Sequence, residues 1–305
     1  MRWLRRSFST GCALLKSKGS SSRWIQRQTQ DPFSKEAKVL NYASRAAFKL
    51  ISLNKRYNLF KPGMTVVDLG FAPGAWSQVA VEATAPNGRV IGVDILHHPP
   101  PKGASAIQGN FLSISVQEHL KKILSDPNLG RRIKSEDQVE VEIEEQLEHV
   151  EHMENVEHKE ESRASTTEQD QQDQASTSDQ MVDVVLSDMC APWLQLGGFQ
   201  LRTINDPYIR MANTSGLAVR DHANSVDLSD SALLFAIDTL KPGGSFVCKT
   251  FMGPDSPALE ERIKKVFKTV KRDKPSSSRK ESKEMYYVGL KKRPNISRSD
   301  VYDYA

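Results

Sequence analysis

Residues 61–78, KPGMTVVDLGFAPGAWSQ, limit what this chain can fold into more than any other stretch. The apolar run MTVV follows Pro62 and Gly63, which predicts a buried strand. A Gly/Pro-rich turn comes next, and Trp76, Val79, Ala80 and Val81 start a helix. Strand, tight turn and helix in that order build the ligand crevice of an open α/β sheet. There the glycines admit a ligand to the backbone, and the first helical N–H groups point outward. The turn lacks the GxGxxG spacing of dinucleotide binders and the GK[ST] of a phosphate loop. An acid, Asp68, begins it, so it predicts a cofactor that is not held by its phosphates.

The rest of the chain continues the alternation. Ala37, Leu40, Ala43, Ala47, Leu50 and Ile51 fall at three- and four-residue steps and predict a helix over residues 34–57. GRVIGVDIL (88–96) is a second strand, a short third falls within 104–112, and a helix spans 116–124. MVDVVLSDMCAP (181–192) restarts as a strand, with a helix near 228–240. KPGG (241–244) turns into the strand SFVCKTF (245–251). Leu259, Ile263, Val266 and Phe267 mark an amphipathic helix, and EMYYVGL (284–290) a last strand. This pattern predicts a doubly wound, mostly parallel α/β sheet with a late reversal.

Charge divides the chain. Residues 135–180 hold 16 Asp/Glu against Lys159 and Arg163, leaving 40 Lys/Arg and 22 Asp/Glu elsewhere. The overall +4 therefore conceals a strongly basic body, for which nucleic acid is the natural partner. The expected organisation is a basic leader at 1–30 and a fold in two parts, 31–132 and 181–305. A low-complexity acidic insert separates them at 133–180 and is expected to be mostly disordered. The leader carries seven basic residues, no acid, and interspersed Trp3, Leu4, Phe8, Leu14 and Leu15, the composition of a mitochondrial transit peptide. Cys12, Cys190 and Cys248 have no metal-ligand spacing, and His149, His152 and His158 lie in the acidic tract, so no metal site is expected. No apolar run reaches the length of a membrane span.

Polar residues end the predicted strands: Asp68, Asp94, Asp188 and Lys249. In a doubly wound sheet these ends converge on one crevice. Asp94, after the second strand, suits ribose hydroxyls. Lys249 follows FVC directly, so partial burial is expected, with a lowered pKa and Asp188 as partner.

DLGFAPGAWSQ, SRAAFKL (44–50), LSDMCAP (186–192), GGSFVCKTF (243–251) and SSSRKESKEMYYV (276–288) together resemble the FtsJ/RrmJ family. These are S-adenosylmethionine-dependent methyltransferases that modify a ribose 2′-hydroxyl of ribosomal RNA. The resemblance covers about residues 20–132 and 181–290, and the leader makes it closest to the mitochondrial branch, which acts on large-subunit rRNA. It implies a Rossmann-like methyltransferase fold and a catalytic tetrad of Lys49, Asp188, Lys249 and Glu284. It also implies cofactor positions at Asp68, Gly70, Gly74, Trp76, Asp94, Asn110 and Asp188. At Asn110 the family pattern has Asp, and Phe71 and Ala75 replace smaller residues in the turn. Lys249 would act as general base, its pKa lowered by Lys49; Asp188 would orient it, and Glu284 would position Lys49 and the ribose. Arg45, Arg279, Lys280 and Lys283 lie beside these motifs and are candidates for RNA phosphates, with Lys264, Lys265, Lys268 and Lys271 as a wider track or a solvated helix face. The alternatives are an rRNA-binding assembly factor whose catalysis is secondary, and a 2′-O-methyltransferase acting on tRNA or an mRNA cap.

Overall fold

The computed structural model describes residues 31–126, 129–131, 180–192, 214–279 and 281–302. The leader at 1–30, all of the acidic insert except Gln180, and Lys280 lie outside the described residues. Seven strands are present among those described: β1 (Thr65–Leu69), β2 (Arg89–Asp94), β3 (Ser105–Gln108), β4 (Val182–Ser187), β5 (Leu240–Phe251), β6 (Phe267–Asp273) and β7 (Glu284–Lys292). They form one sheet in the order β3-β2-β1-β4-β5-β7-β6. The first five run parallel, and β7 is antiparallel to both β5 and β6. The strand order reverses between β1 and β4, which is where a crevice opens in such sheets.

Six α-helices are present among the described residues: α1 (Pro32–Val39), α2 (Ala47–Tyr57), α3 (Ala75–Thr84), α4 (Ile114–Ser125), α5 (Ala218–Thr239) and α6 (Ser256–Val266). On one face Val67, Leu69 and Val185 share a core with Leu120, Leu233 and Ile263. On the other, Val66, Val184 and Leu186 pack with Leu50, Leu53, Trp76 and Val79. Strands covered on both faces need apolar residues at successive positions, which is why TVV and VVL do not alternate.

Four expectations are corrected. The helix expected over 34–57 is two helices. Asn41, at φ 58°, ends α1 in a left-handed cap where Tyr42 N–H reaches Ala37 C=O and Asn41 N–H reaches Lys38 C=O. The break is a docking point: Trp76 Nε1 donates to Ala46 C=O, and Gln78 donates to Asn41 C=O and accepts from Ala43 N–H. Helix α5 starts ten residues before the expected position. Its first turns bury Asp221, His222, Ser225 and Ser229 in place of apolar residues, which hid the helical period. KPGG is not a separate turn but a bulge within β5: Leu240 pairs with Val182 and Ser245 with Val184. Finally, β6 follows α6 directly. Only Phe267 and Asp273 of that strand are buried, so its sequence carries little strand signal, and Lys268 and Lys271 sit on an edge strand, not on a helix.

The carboxyl end of α5 is closed by the last residue of β7. Lys292 is buried and donates to Ile237 C=O (2.5 Å) and Leu240 C=O (2.7 Å), a cation on the negative end of the helix. Burial pushes its ammonium down to about 8. The unfolded chain, with an ordinary lysine pKa of about 10.4, therefore binds the extra proton between those values, and stability rises as pH climbs through that window. Urea denaturation at about pH 7.5 and pH 10 should show this rise in the native chain and not in Lys292→Met. The variant should also lose about 1–3 kcal/mol at pH 7.5, because two helix-end carbonyls are left unpaired, and more at pH 10, where the native chain has gained the rise.

Candidate active site

The β1–α3 turn is built by glycines in left-handed conformations. Gly70 (φ 79°) donates its N–H to Val93 C=O at 2.8 Å, and a Cβ there would lie 2.8 Å from the Met189 Cα. Gly74 (φ 97°) is the N-cap of α3, and a Cβ there would meet Pro101 at 3.0 Å. The first bond of α3 runs from Gln78 N–H to Gly74 C=O, so the amides of Ala75 and Trp76 precede the helical ladder and remain for a ligand.

Three carboxylates surround this turn. Asp68 is fully buried; its Oδ2 accepts from the Ser77 hydroxyl at 2.7 Å, while Oδ1 has no partner among the described residues. Burial pushes its carboxyl up to about 7; Ser77 opposes this, and the charges of Asp188 and Asp94 add to it. Asp94, at the end of β2, accepts from the amides of Ala72 (3.0 Å) and Leu96 (2.8 Å), and burial raises its pKa as well. Asn110 is exposed, its Oδ1 held by Leu112 N–H, and Gly109 N–H bonds Asp94 C=O beside it. Trp76 behaves differently from a cofactor contact made by a side chain. Its indole is buried and tilted against Tyr286 with ring centres 5.7 Å apart, so only its backbone amide is left to meet a ligand.

Lys49, Asp188, Lys249 and Glu284 come together as two ion pairs. Lys249 Nζ lies 3.0 Å from Asp188 Oδ1 and also donates to Asp188 C=O (2.6 Å) and Cys190 Sγ (2.7 Å). Lys49 Nζ lies 2.7 Å from Glu284 Oε1, which also accepts from the Ser278 hydroxyl at 2.6 Å. Asp188 N–H bonds Leu69 C=O, fixing the end of β4 to the end of β1. Tyr286 stands between the pairs: its hydroxyl donates to Asp188 Oδ1 at 3.3 Å, and Lys49 Nζ lies 5.8 Å from its ring centre. The lowered Lys249 pKa expected from sequence is corrected. Burial does work against its charge, but Asp188, Cys190 and Glu284 outweigh it, and its pKa is raised. Glu284 shows the converse: burial favours its neutral form, but Lys49, Ser278 and Lys249 together hold it below the usual carboxylate range.

The candidate RNA residues divide. Arg45 is largely buried, pairs with Asp31 and donates to Ser277 C=O. Arg279 lies 3.7 Å from the same Asp31 carboxylate. Lys283 is exposed at the mouth of β7, and Lys280 lies outside the described residues. Sequence reasoning missed Tyr286, Cys190 and Ser278. Tyr286 had a usable signal: it stands two residues from Glu284 on a strand, hence on the same face. Among the described residues no group of three or more His, Cys, Asp or Glu side chains could hold a metal, and no helix is long and apolar enough to cross a membrane.

Residues 42–292 match the model of the FtsJ-like methyltransferases. The mitochondrial rRNA methyltransferase 2 of Saccharomyces cerevisiae is 42% identical over 93% of this chain and 91% of its own length. Its Schizosaccharomyces pombe namesake is 32% identical over 89% and 96%. The ribosomal RNA large subunit methyltransferase E of Paramagnetospirillum magneticum is 36% identical over 88% and 82%. A solved Plasmodium falciparum protein described as a ribosomal RNA methyltransferase shares the fold, with TM-score 0.50 and 23% identity over 82% of this chain and 98% of its own. With most of its length matched, the chain belongs to the FtsJ-like methyltransferase family.

Proposed function

We propose that this protein transfers a methyl group from S-adenosylmethionine to a ribose 2′-hydroxyl of mitochondrial large-subunit ribosomal RNA, uridine being the expected nucleoside, in support of ribosome assembly in the matrix. The observation that carries the reaction type is the meeting of the Lys49–Glu284 and Lys249–Asp188 pairs beside the β1–α3 turn. The RNA class and the compartment are supported by the names of the relatives, the basic body and the composition of residues 1–30. Residues 31–132 and 181–305 are read as one methyltransferase fold interrupted by the acidic insert at 133–180.

The turn fits such a cofactor. Oδ1 of Asp68, without a partner among the described residues, is a buried acceptor that calls for a cationic or N–H donor, and a methionine-type ammonium is one. Asp94 would receive ribose hydroxyls, Asn110 the adenine edge, and the amides after Gly74 the remaining polar atoms. Bound S-adenosylmethionine would supply an electrophilic methyl on a sulfonium, whose positive charge would oppose a second cation in the crevice. On the protein side, Lys249 enters the reaction neutral and takes the 2′-hydroxyl proton at Nζ. Asp188 and Cys190 hold that nitrogen in place. Lys49 keeps its proton against Glu284 and orients the ribose.

Because Lys249 is held protonated in the free protein, only a small fraction is competent near neutrality. Single-turnover rates on large-subunit rRNA at subsaturating S-adenosylmethionine, which report the free protein, should therefore climb with pH, close to tenfold per unit, into the alkaline range. Lys249→Ala should lower the rate by about 10²- to 10⁴-fold and abolish that climb. A rate insensitive to pH, or near-native turnover in the variant, would remove Lys249 from the role of base. Mapping ribose methylation in mitochondrial large-subunit rRNA with and without the protein tests the substrate.

Gly74→Ala puts a side chain where φ is positive and Pro101 is close, at a cost of about 1–2 kcal/mol. Calorimetry should show S-adenosylmethionine bound roughly tenfold more weakly by a protein that still folds. A fluorescent protein fused to residues 1–30 should enter mitochondria; a cytosolic signal would reject the leader as a transit peptide.

A further inference from the structure

We propose that Asp31 and Arg45 form a clamp that positions Glu284 and, through it, Lys49, and that Arg45 serves this clamp in preference to an RNA phosphate. This inference rests on the methyltransferase reading above. Asp31 is the N-cap of α1. Its Oδ1 accepts from Phe33 N–H at 3.1 Å, leaving Oδ2 for the Arg45 guanidinium. Arg45 precedes α2, the helix that carries Lys49. Its second nitrogen donates to Ser277 C=O, a contact across 232 residues of chain. Ser278, the next residue, is buried and donates its hydroxyl to Glu284 Oε1 at 2.6 Å. That same oxygen holds Lys49 Nζ at 2.7 Å. Asp31, Arg45, Ser277, Ser278, Glu284 and Lys49 thus form one continuous polar chain, whose two ends are both tied to the start of the fold.

The surroundings of Arg45 favour support over RNA contact. Its side chain is only 16% exposed, and its Cζ lies 5.7 Å from the centre of the Phe33 ring. Two of its donors are already committed to Asp31 and Ser277. Arg279 Nη2 lies 3.7 Å from the same Asp31 oxygen, so one buried carboxylate separates two guanidinium groups. Without that charge the two arginines repel, and the backbone at Ser277 loses its anchor. The Ser278 hydroxyl then no longer has a fixed position from which to hold Glu284. A displacement of about an ångström at the tetrad suffices to slow a reaction that depends on in-line geometry.

The test uses full-length protein with Asp31→Asn, Arg45→Gln and Ser278→Ala. Asparagine keeps the helix cap while removing the charge, so Asp31→Asn separates the clamp from the stability of α1. Expected are a fall in kcat of roughly 10- to 100-fold in each variant, and unchanged KM for RNA and salt dependence of binding. Combining Asp31→Asn with Ser278→Ala should cost little beyond the worse single change, since both break one chain. If Arg45 were a phosphate ligand, Arg45→Gln would raise KM, lower the salt slope by about one and spare kcat, and Asp31→Asn would tighten RNA binding; that result overturns the clamp. Hydrogen exchange gives a readout independent of activity. Amides of residues 276–284 should exchange faster in Asp31→Asn than in the native chain, and equal protection overturns the proposal. A native protein that is inactive on the RNA while its variant shows the exchange change counts against the proposed substrate and not against the clamp.

Discussion

Two lysines and two carboxylates share a space from which water is largely excluded, and the rest of the molecule is arranged so that they can stay there. A buried ammonium without a partner is expensive, and so is a buried carboxylate without one. Here each has one: Lys249 with Asp188, Lys49 with Glu284. The four come from different places, Lys49 from α2 and the others from the ends of β4 and β5 and the start of β7. The antiparallel β7 matters for this reason. A parallel strand would bring its carboxyl end to the crevice, whereas β7 brings its first residue, Glu284, opposite Phe251.

The cofactor turn obeys the opposite rule. Where the tetrad satisfies every charge, the turn leaves one buried acceptor, Asp68 Oδ1, unpaired among the described residues, and burial raises that carboxyl's pKa. The protein bears that cost at a position where the backbone is also forced into left-handed conformations at Gly70 and Gly74. Unsatisfied polarity and special backbone geometry in one short segment are the usual marks of a site made for something else to complete.

Much of this was legible in the sequence because buried parallel strands write themselves as apolar runs, and the polar residues that stop those runs are the ones in the crevice. MTVVDLG, VIGVD, VVLSD and FVCK each announce a strand and its functional end. What stayed hidden was polar and buried together. His222, Ser225 and Ser229 face β5, where Ser225 accepts from Phe251 N–H and Ser229 donates to Lys249 C=O. A helix that packs through hydroxyls shows no apolar period, so the start of α5 was placed too late. The raised pKa of Lys249 is hidden from the sequence for a related reason. Burial is visible in a sequence, but the number of acceptors that will surround a nitrogen is not, and Asp188 C=O and Cys190 come from the loop after β4.

The pairing of β1 with β4 has a consequence for how the chain reaches its fold. These strands lie at the centre of the sheet, yet more than a hundred residues separate them, the acidic tract included. Until β4 is made, β1 ends the nascent sheet with an unpaired apolar edge, the kind of surface that joins other chains. Lengthening a loop adds little to the free-energy cost of closing it, but the edge remains exposed until the chain beyond the insert has joined it. The folding chain therefore passes through a stage in which its best-formed part is also its stickiest, and a dense block of like charge is the stretch of sequence that leads into the strand that covers that edge.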